Sequence, residues 1–278
     1  KQKLYLQDSY RSEFEARVDA AAPGRVALSA TAFFPGGGGQ PPDVGELEIA
    51  GVWYRVTGIC PDGEGRVWHV IEGAAGRGGA GRAAVPAAAG PGGPVAAAVP
   101  DAPPEDAGLF GGVPSVGAVA RGRIDWPRRH AFMRHHTLLH IVNSVVLADH
   151  GGLITGVQIA EDKSRIDFKL DGLDSELVAA LEARVNGVIT RDLVVSAGLV
   201  TEAEFRLRPE LVRTAGVEPP VVDGWVRVVS IEGFDAQACG GTHVRRTGEI
   251  GACTVLRTEN KGKNNKRLYL AVQDPCTG

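Results

Sequence analysis

The sequence predicts an α+β protein: a small N-terminal β-barrel-like domain followed by a C-terminal α+β domain built on an antiparallel sheet. Three observations carry that expectation. Short segments alternating apolar and polar residues, punctuated by Pro23-Gly24 and Pro61-Asp62-Gly63, fill residues 1–73. Apolar residues at helical spacing then appear among further strand candidates over 113–278. Between the two lies 74–112, so rich in Ala, Gly and Pro that it cannot supply a core. At 278 residues and 44% hydrophobic content, the chain is long and apolar enough for one large domain or two ordinary ones.

In chain order, strands are expected over Lys3–Leu6, Glu13–Ala20, Arg25–Ala30, Gly45–Ile49, Val52–Ile59 and Arg66–Ile71. Among them stands Thr31-Ala32-Phe33-Phe34-Pro35, then Gly36 to Gly39, Gln40 and Asp43. Consecutive glycines carry the largest backbone entropy cost and have no side chain to pack, so they make a loop. Phe33-Phe34-Pro35 anchors its near end, while Gln40 and Asp43 place polar groups at its far end. That context is more ordered than a linker, and it lets the backbone at Gly37, Gly38 and Gly39 come close to a ligand. The 74–112 stretch reads as an insertion or linker lying on the surface.

Order resumes with a strand over Val119–Ile124. Asp125-Trp126-Pro127 supplies an N-cap and an early-turn proline, opening a helix that ends at Gly151-Gly152. Leu138, Ile141, Val142 and Val145 face the core. Leu153–Ala160 and Arg165–Leu170 form a hairpin about Glu161-Asp162-Lys163. A second amphipathic helix runs from Ser175 to about Thr190, with Leu177, Leu181, Val185 and Val188 inward. Strands are expected over Glu202–Leu207, Val226–Ile231, Cys253–Thr258 and Leu268–Val272.

The chemistry concentrates in two short motifs. His136 and His140 stand at i, i+4 on the first long helix and can present two imidazoles to one point. Such a pair alone is more often core or surface than ligand. Cys239 and His243 repeat the spacing within Cys239-Gly240-Gly241-Thr242-His243, where two glycines allow a tight turn around the thiolate. Two pairs give four nitrogen and sulfur donors, the set of a tetrahedral zinc site.

The net charge of -3 lacks the global basicity of a protein that holds nucleic acid by charge alone. Local clusters must do that work: Arg121, Arg123, Arg128, Arg129 and Arg134 near the first pair, and Arg245, Arg246, Lys261, Lys263, Lys266 and Arg267 after the second. The four cysteines are too sparse for a disulfide framework, which fits a reducing, cytoplasmic setting. Cys60, Cys253 and Cys276 read as small hydrophobes. No export signal or membrane span is expected.

Taken together, Phe34-Pro35 with Gly37-Gly38-Gly39-Gln40, Asp43 with Gly45, Arg134 with His136-Thr137 and His140, Ser164-Arg165-Ile166-Asp167-Phe168, and Cys239 to His243 resemble the freestanding alanyl-tRNA editing proteins called AlaX, relatives of the editing domain of alanyl-tRNA synthetase. The metal motifs also look similar to the editing domain of threonyl-tRNA synthetase; the glycine motif points to the alanyl branch. The 74–112 stretch departs from the pattern. The resemblance implies a zinc-binding editing domain over 113–278 that hydrolyses, in trans, the ester of a mischarged tRNA such as seryl- or glycyl-tRNA(Ala). Its partner is the aminoacylated acceptor end of tRNA, with no nucleotide cofactor and no membrane.

By the same resemblance, Thr31 reads a hydroxylated substrate side chain and Gln40 lies near the same pocket. A closed tetrahedral site is normally structural and a catalytic one keeps a position open, so Cys239 is the candidate ligand that yields, leaving His136, His140 and His243 with water in the fourth position. Gly37, Gly38, Gly39, Arg128, Arg129 and Arg134 are the substrate-binding candidates. Two alternatives stand beside this reading. One is a specialised relative hydrolysing an unusual ester such as fluorothreonyl-tRNA, the other a non-catalytic RNA-binding protein stabilised by zinc.

Overall fold

The computed structural model describes residues 2–63, 65–74, 113–214 and 218–274. It opens with a two-residue strand, β1 (Gln2–Lys3), and one helical turn, α1 (Leu4–Gln7). The strand expected over Lys3–Leu6 is thus replaced by a turn. Leu4 and Tyr5 are consecutive and both buried, whereas a strand would point them to opposite faces.

Barrel strands follow: β2 (Glu13–Ala22), β3 (Arg25–Leu28), β5 (Gly45–Ile49), β6 (Val52–Pro61), β7 (Val67–Ala74) and β8 (Val119–Ile124), with the short β4 (Ala30–Thr31) pairing in parallel with β1. They close in the order β2-β3-β7-β6-β5-β8. Strict alternation makes this possible, since β2 and β8 bury every second residue and Phe14, Ala16, Val18, Ala120 and Ile124 share one core with Leu47, Ile49 and Val56. The sequence placed Val119–Ile124 in the second unit, with residues 1–73 as the whole β domain. In the structure this strand pairs with both β2 and β5 and closes the barrel. Two glycines permit the approach: a Cβ on Gly122 would lie 2.2 Å from the Phe14 ring, and one on Gly45 2.2 Å from the Arg123 carbonyl oxygen. Residues 75–112, the core of the expected insertion, lie outside the described residues.

The long helix α2 (Trp126–His150) begins as expected. The Asp125 side chain accepts from Arg128 N–H, Pro127 sits in the first turn, and Gly151 caps the end in the left-handed region at φ 65°. Every residue from Phe132 to Val146 is buried, so α2 is the axis of the second core. A four-stranded antiparallel sheet packs on it in the order β14 (Cys253–Asn260), β15 (Lys266–Val272), β10 (Ser164–Phe168), β9 (Ile154–Ile159), together with helix α3 (Ser175–Ile189). A second antiparallel sheet holds β11 (Val195–Thr201), β12 (Trp225–Ile231) and β13 (Asp235–Ala238).

The strand expected over Glu202–Leu207 is instead a short helix, α4 (Glu202–Arg206). Thr201 and Glu204 form a capping box that satisfies each other's backbone N–H groups, and Phe205 buries under the sheet with Leu211, Val226 and Val228. No helix among the described residues is long and apolar enough to cross a membrane.

One buried ion pair joins barrel to helix. Arg129, at 0% side-chain exposure, donates Nε to Asp43 at 2.9 Å and pairs Nη2 with the same carboxylate, while Nη1 and Nη2 also reach the carbonyls of Ser9 and Ala32. Asp43 in turn accepts from Phe34 N–H at 2.5 Å. Removing one member leaves the other charge buried and uncompensated. Asp43→Ala is therefore expected to lower unfolding free energy by about 3–5 kcal/mol, measured by urea denaturation. A loss below about 1 kcal/mol would show that this pair does not hold the two units together.

Candidate metal centre

The spacing of α2 presents His136 and His140 with ring centroids 5.4 Å apart. The turn after β13 brings the His243 ring to 4.4 and 4.5 Å from them. Cys239 Sγ lies 3.5 Å from His136 Nε2 and 3.4 Å from His243 Nε2. All four donors fall within 4.8 Å of one another. A tetrahedral zinc, with Zn–S about 2.3 Å and Zn–N about 2.0–2.1 Å, separates S and N by about 3.5 Å, so the donor set fits that ion.

The neighbours fix which nitrogen faces the centre. Gln40 donates Nε2 to Thr242 Oγ1 at 2.8 Å, which turns its Oε1 toward His136 Nδ1 at 2.8 Å and Thr242 N–H at 3.3 Å. An amide oxygen only accepts, so His136 carries its proton on Nδ1 and its Nε2 lone pair faces the cluster. Thr137 does the same for His243: its hydroxyl donates to the Met133 carbonyl at 2.9 Å and accepts from His243 Nδ1 at 3.1 Å. Burial holds all three imidazoles neutral, with His140 pushed down to about 3 and His136 and His243 well below the usual range; the cationic Arg227 adds to each effect. Burial pushes the Cys239 thiol up, opposed by Gly241 N–H and Arg227. Cys239 is also more exposed than the three histidines.

Glycine is obligatory at two places here. A Cβ on Gly241 would lie 2.1 Å from His136 Cε1. Gly39 sits at φ 82°, where a Cβ would lie 2.7 Å from Val157, and its carbonyl accepts from Ile159 N–H at 2.8 Å. That bond docks the glycine loop on β9, while Gly37 and Gln40 exchange two backbone hydrogen bonds of 3.0 Å across a tight turn. Gly37, Gly38 and Gly39 are exposed, and Gln40 is buried.

The structure therefore brings Gln40, His136, His140, Cys239 and His243 together. Thr31 is buried in the barrel, where its hydroxyl meets His69 Nε2 at 2.8 Å and accepts from Phe33 N–H at 3.1 Å. Arg128 stays near the surface, stacked on Phe132 and paired with Glu161 and the Pro42 carbonyl. Arg129 and Arg134, expected to meet substrate, are buried instead. Arg129 serves the Asp43 clamp, and Arg134 is held by the carbonyls of Ile250 and Gln273 and by Asp274.

The two basic clusters are likewise largely committed to internal partners. Arg121 pairs with Glu15 and Glu48, Arg123 with Glu46, Arg245 with Asp8, Arg246 with Asp192, Lys261 with Glu259 and Arg267 with Asp167. Lys266 donates to carbonyls of its own turn, and Lys263 is exposed. Cys60 and Cys253 are free thiols, and Cys276 lies outside the described residues.

Sequence reasoning missed Thr137, Thr242 and Arg227. The threonines stand inside the metal motifs, where a hydroxyl beside a ligand was a readable signal. Arg227, whose Nη1 clamps the carbonyls of Cys239 and Gly241 at 2.8 and 2.9 Å, carries no local signal, because only cross-strand register brings it there.

Residues 226–269 match a family model described as the threonyl and alanyl tRNA synthetase second additional domain. The chain is 34% identical to the alanyl-tRNA editing protein AlaX-M of Methanosarcina mazei, over 99% of this chain and 98% of that protein. It is also 34% identical to the AlaX-M of Saccharolobus solfataricus, over 98% and 99%. Against the alanine–tRNA ligase of Korarchaeum cryptofilum it is 37% identical over 98% of this chain, but covers 26% of the ligase. The chain belongs to the AlaX family of alanyl-tRNA editing proteins.

Two outcomes follow from the geometry. Gln40→Ala and Gly241→Ala, the one freeing His136 and the other displacing it, are expected to weaken metal binding about 10–100-fold, measured by competition with a chromogenic chelator. Unchanged affinity in both would show that these residues do not orient the ligand. The second outcome concerns pH. Burial lowers His69 and His135 from 6.5 to about 4. Below pH 6.5 the unfolded chain binds more protons than the folded one, so metal-free protein should lose stability as pH falls from about 6.5 toward 4. Thermal melts in chelator across that range check it; a flat profile would contradict buried neutral histidines.

Proposed function

We propose that this protein is a zinc-dependent aminoacyl-tRNA deacylase that hydrolyses, in trans, the ester of a mischarged tRNA(Ala). The observation that carries this reading is the direct bond from Gln40 of the glycine motif to metal-ligand candidate His136, which makes the loop and the donor cluster one site. The relatives named for alanyl-tRNA editing support it. An amino acid differing from alanine by one small group cannot be rejected strongly by binding alone, so a hydrolytic second site is the chemical solution. Zinc bound there would supply Lewis-acid chemistry, polarising a carbonyl or lowering the pKa of water.

The chain's own residues do the rest. His136, His140 and His243 offer Nε2 lone pairs preset by Gln40 and Thr137, and Cys239, the more exposed donor, is the one that yields a position to substrate or water. Gly37 and Gly38 are exposed and present no side chain to a ligand, and Arg128, at the start of α2, is the proposed contact for the acceptor-end phosphates. Thr31 is proposed as the reader of a substrate hydroxyl. His69 Nδ1 faces the Val26 carbonyl at 3.2 Å, so that nitrogen carries the proton and Nε2 accepts from Thr31. Thr31 can then only accept further bonds, which matches a donating serine hydroxyl and offers alanine nothing.

The four-donor count favours a second reading, since closed tetrahedral sites are normally structural. In that case the protein binds RNA without hydrolysing it. The test is a panel of seryl-, glycyl-, alanyl-, threonyl- and fluorothreonyl-tRNA timed with zinc-loaded and chelated protein. Seryl-tRNA(Ala) should be deacylated much faster than alanyl-tRNA(Ala), with activity lost on chelation. Thr31→Val should shrink the seryl preference about 10-fold or more while zinc content stays unchanged. Fast loss of the fluorothreonyl ester alone would install the specialised reading, and no hydrolysis of any ester would install the structural one.

A further inference from the structure

The three-stranded sheet presents two unlike faces. On one, Val226 and Val228 bury under α4. On the other, alternation places Trp225, Arg227 and Val229, with Val229 in the main core. The antiparallel register sets Leu199 of β11 opposite Arg227 on one side, and Cys239, whose N–H donates to the Arg227 carbonyl at 3.0 Å, on the other. A line of side chains thus leaves the metal cluster along this face. Cys239 comes first, then Arg227, then Leu199 at 63% exposure and Trp225 at 45%.

Exposed apolar residues scattered singly need no explanation, but these two flank a guanidinium one strand from a metal-ligand candidate. Trp225 is also rigidly placed. It closes a two-residue turn through Asp223 and Gly224, both at positive φ, with paired backbone bonds of 2.9 Å to Val222. Arg227 uses Nη1 on the Cys239 and Gly241 carbonyls, while its buried Nε has no partner among the described residues.

We propose that this face seats the 3′-terminal adenosine of the aminoacylated tRNA, with the base stacked on Trp225 against Leu199 and a ribose or phosphate oxygen met by Arg227. The proposal rests on the deacylase reading and deepens it. Distances agree: strands lie about 4.8 Å apart and two residues along a strand span about 7 Å, so the Trp225 backbone is about 8 Å from that of Cys239, one nucleoside's length from the ester. The chemistry agrees too, since an aromatic face with an adjacent guanidinium is how proteins hold unpaired bases beside their phosphates.

The test uses the full zinc-loaded chain and adenosine 5′-monophosphate as probe, by calorimetric titration, alongside steady-state deacylation. Trp225→Ala is expected to weaken binding of the nucleotide about tenfold, the size of one base–aromatic stack, and to raise KM for seryl-tRNA(Ala) similarly with kcat little changed. Trp225→Phe should restore most of both. Leu199→Glu, a change on an exposed edge strand, should weaken nucleotide binding without altering zinc content. Unchanged nucleotide affinity and KM in Trp225→Ala would overturn the proposal, as would a concentration-dependent dimer that this variant breaks, which would assign the face to a second copy of the chain. If the wild type hydrolyses no aminoacyl-tRNA, the deacylase reading fails on its own, and the nucleotide titration still judges the subsite.

Discussion

The Arg129–Asp43 pair is the constraint on which the arrangement depends. Both groups are removed from water, so each tolerates burial only because the other and the surrounding carbonyls satisfy it. The geometry this demands is exact in direction. Asp43 ties down Phe34 at the start of the glycine loop, and Arg129 stands on α2 less than two turns before His136. The same contact that docks the barrel on the helix therefore sets where Gln40 arrives. From there Gln40 bridges to Thr242 and His136, so the loop, the helix and the Cys-Gly-Gly turn are registered to each other through polar groups.

The donor cluster is preorganised in the same manner. Desolvation alone would leave three neutral imidazoles free to present either nitrogen. The Nδ1–H groups of His136 and His243 donate to Gln40 and Thr137, which removes that freedom, so little reordering is required when an ion enters. Arg227 contributes differently. Its guanidinium holds two carbonyls of the turn and sits among groups whose charged forms it shifts, disfavouring imidazolium and favouring thiolate. Both shifts prepare the residues in the forms that bind metal.

Much of the fold was legible because it rests on periodicity. The alternation in Glu13–Ala22 and Val119–Ile124 and the caps of α2 at Asp125 and Gly151 are local signals, and local structure obeyed them. What failed was non-local or locally overridden. Nothing in Val119–Ile124 says that it pairs with β2 and β5. At Glu202 the apolar pattern suggested a strand, but the Thr201–Glu204 capping box decided for helix. β11 itself went unread, its pattern blurred by Ala197-Gly198 and by exposure on both faces. The clustering of His136, His140, Cys239 and His243 was readable from spacing, while the role of Arg129 and Arg134 was not: a sequence counts an arginine's charge but does not say whether a carboxylate waits for it inside.

The donors come from widely separated stretches: Gln40 supports a pair at 136 and 140, and the second pair stands at 239 and 243. This has a consequence for biosynthesis. A chain emerging from the ribosome holds only the His136–His140 pair of the four donors until a further hundred or so residues have been added and the β12–β13 sheet has formed. Incomplete products thus lack the complete donor set. A deacylase of the kind proposed, made in the company of charged tRNAs, would become able to attack them only after its own synthesis had passed the last donor.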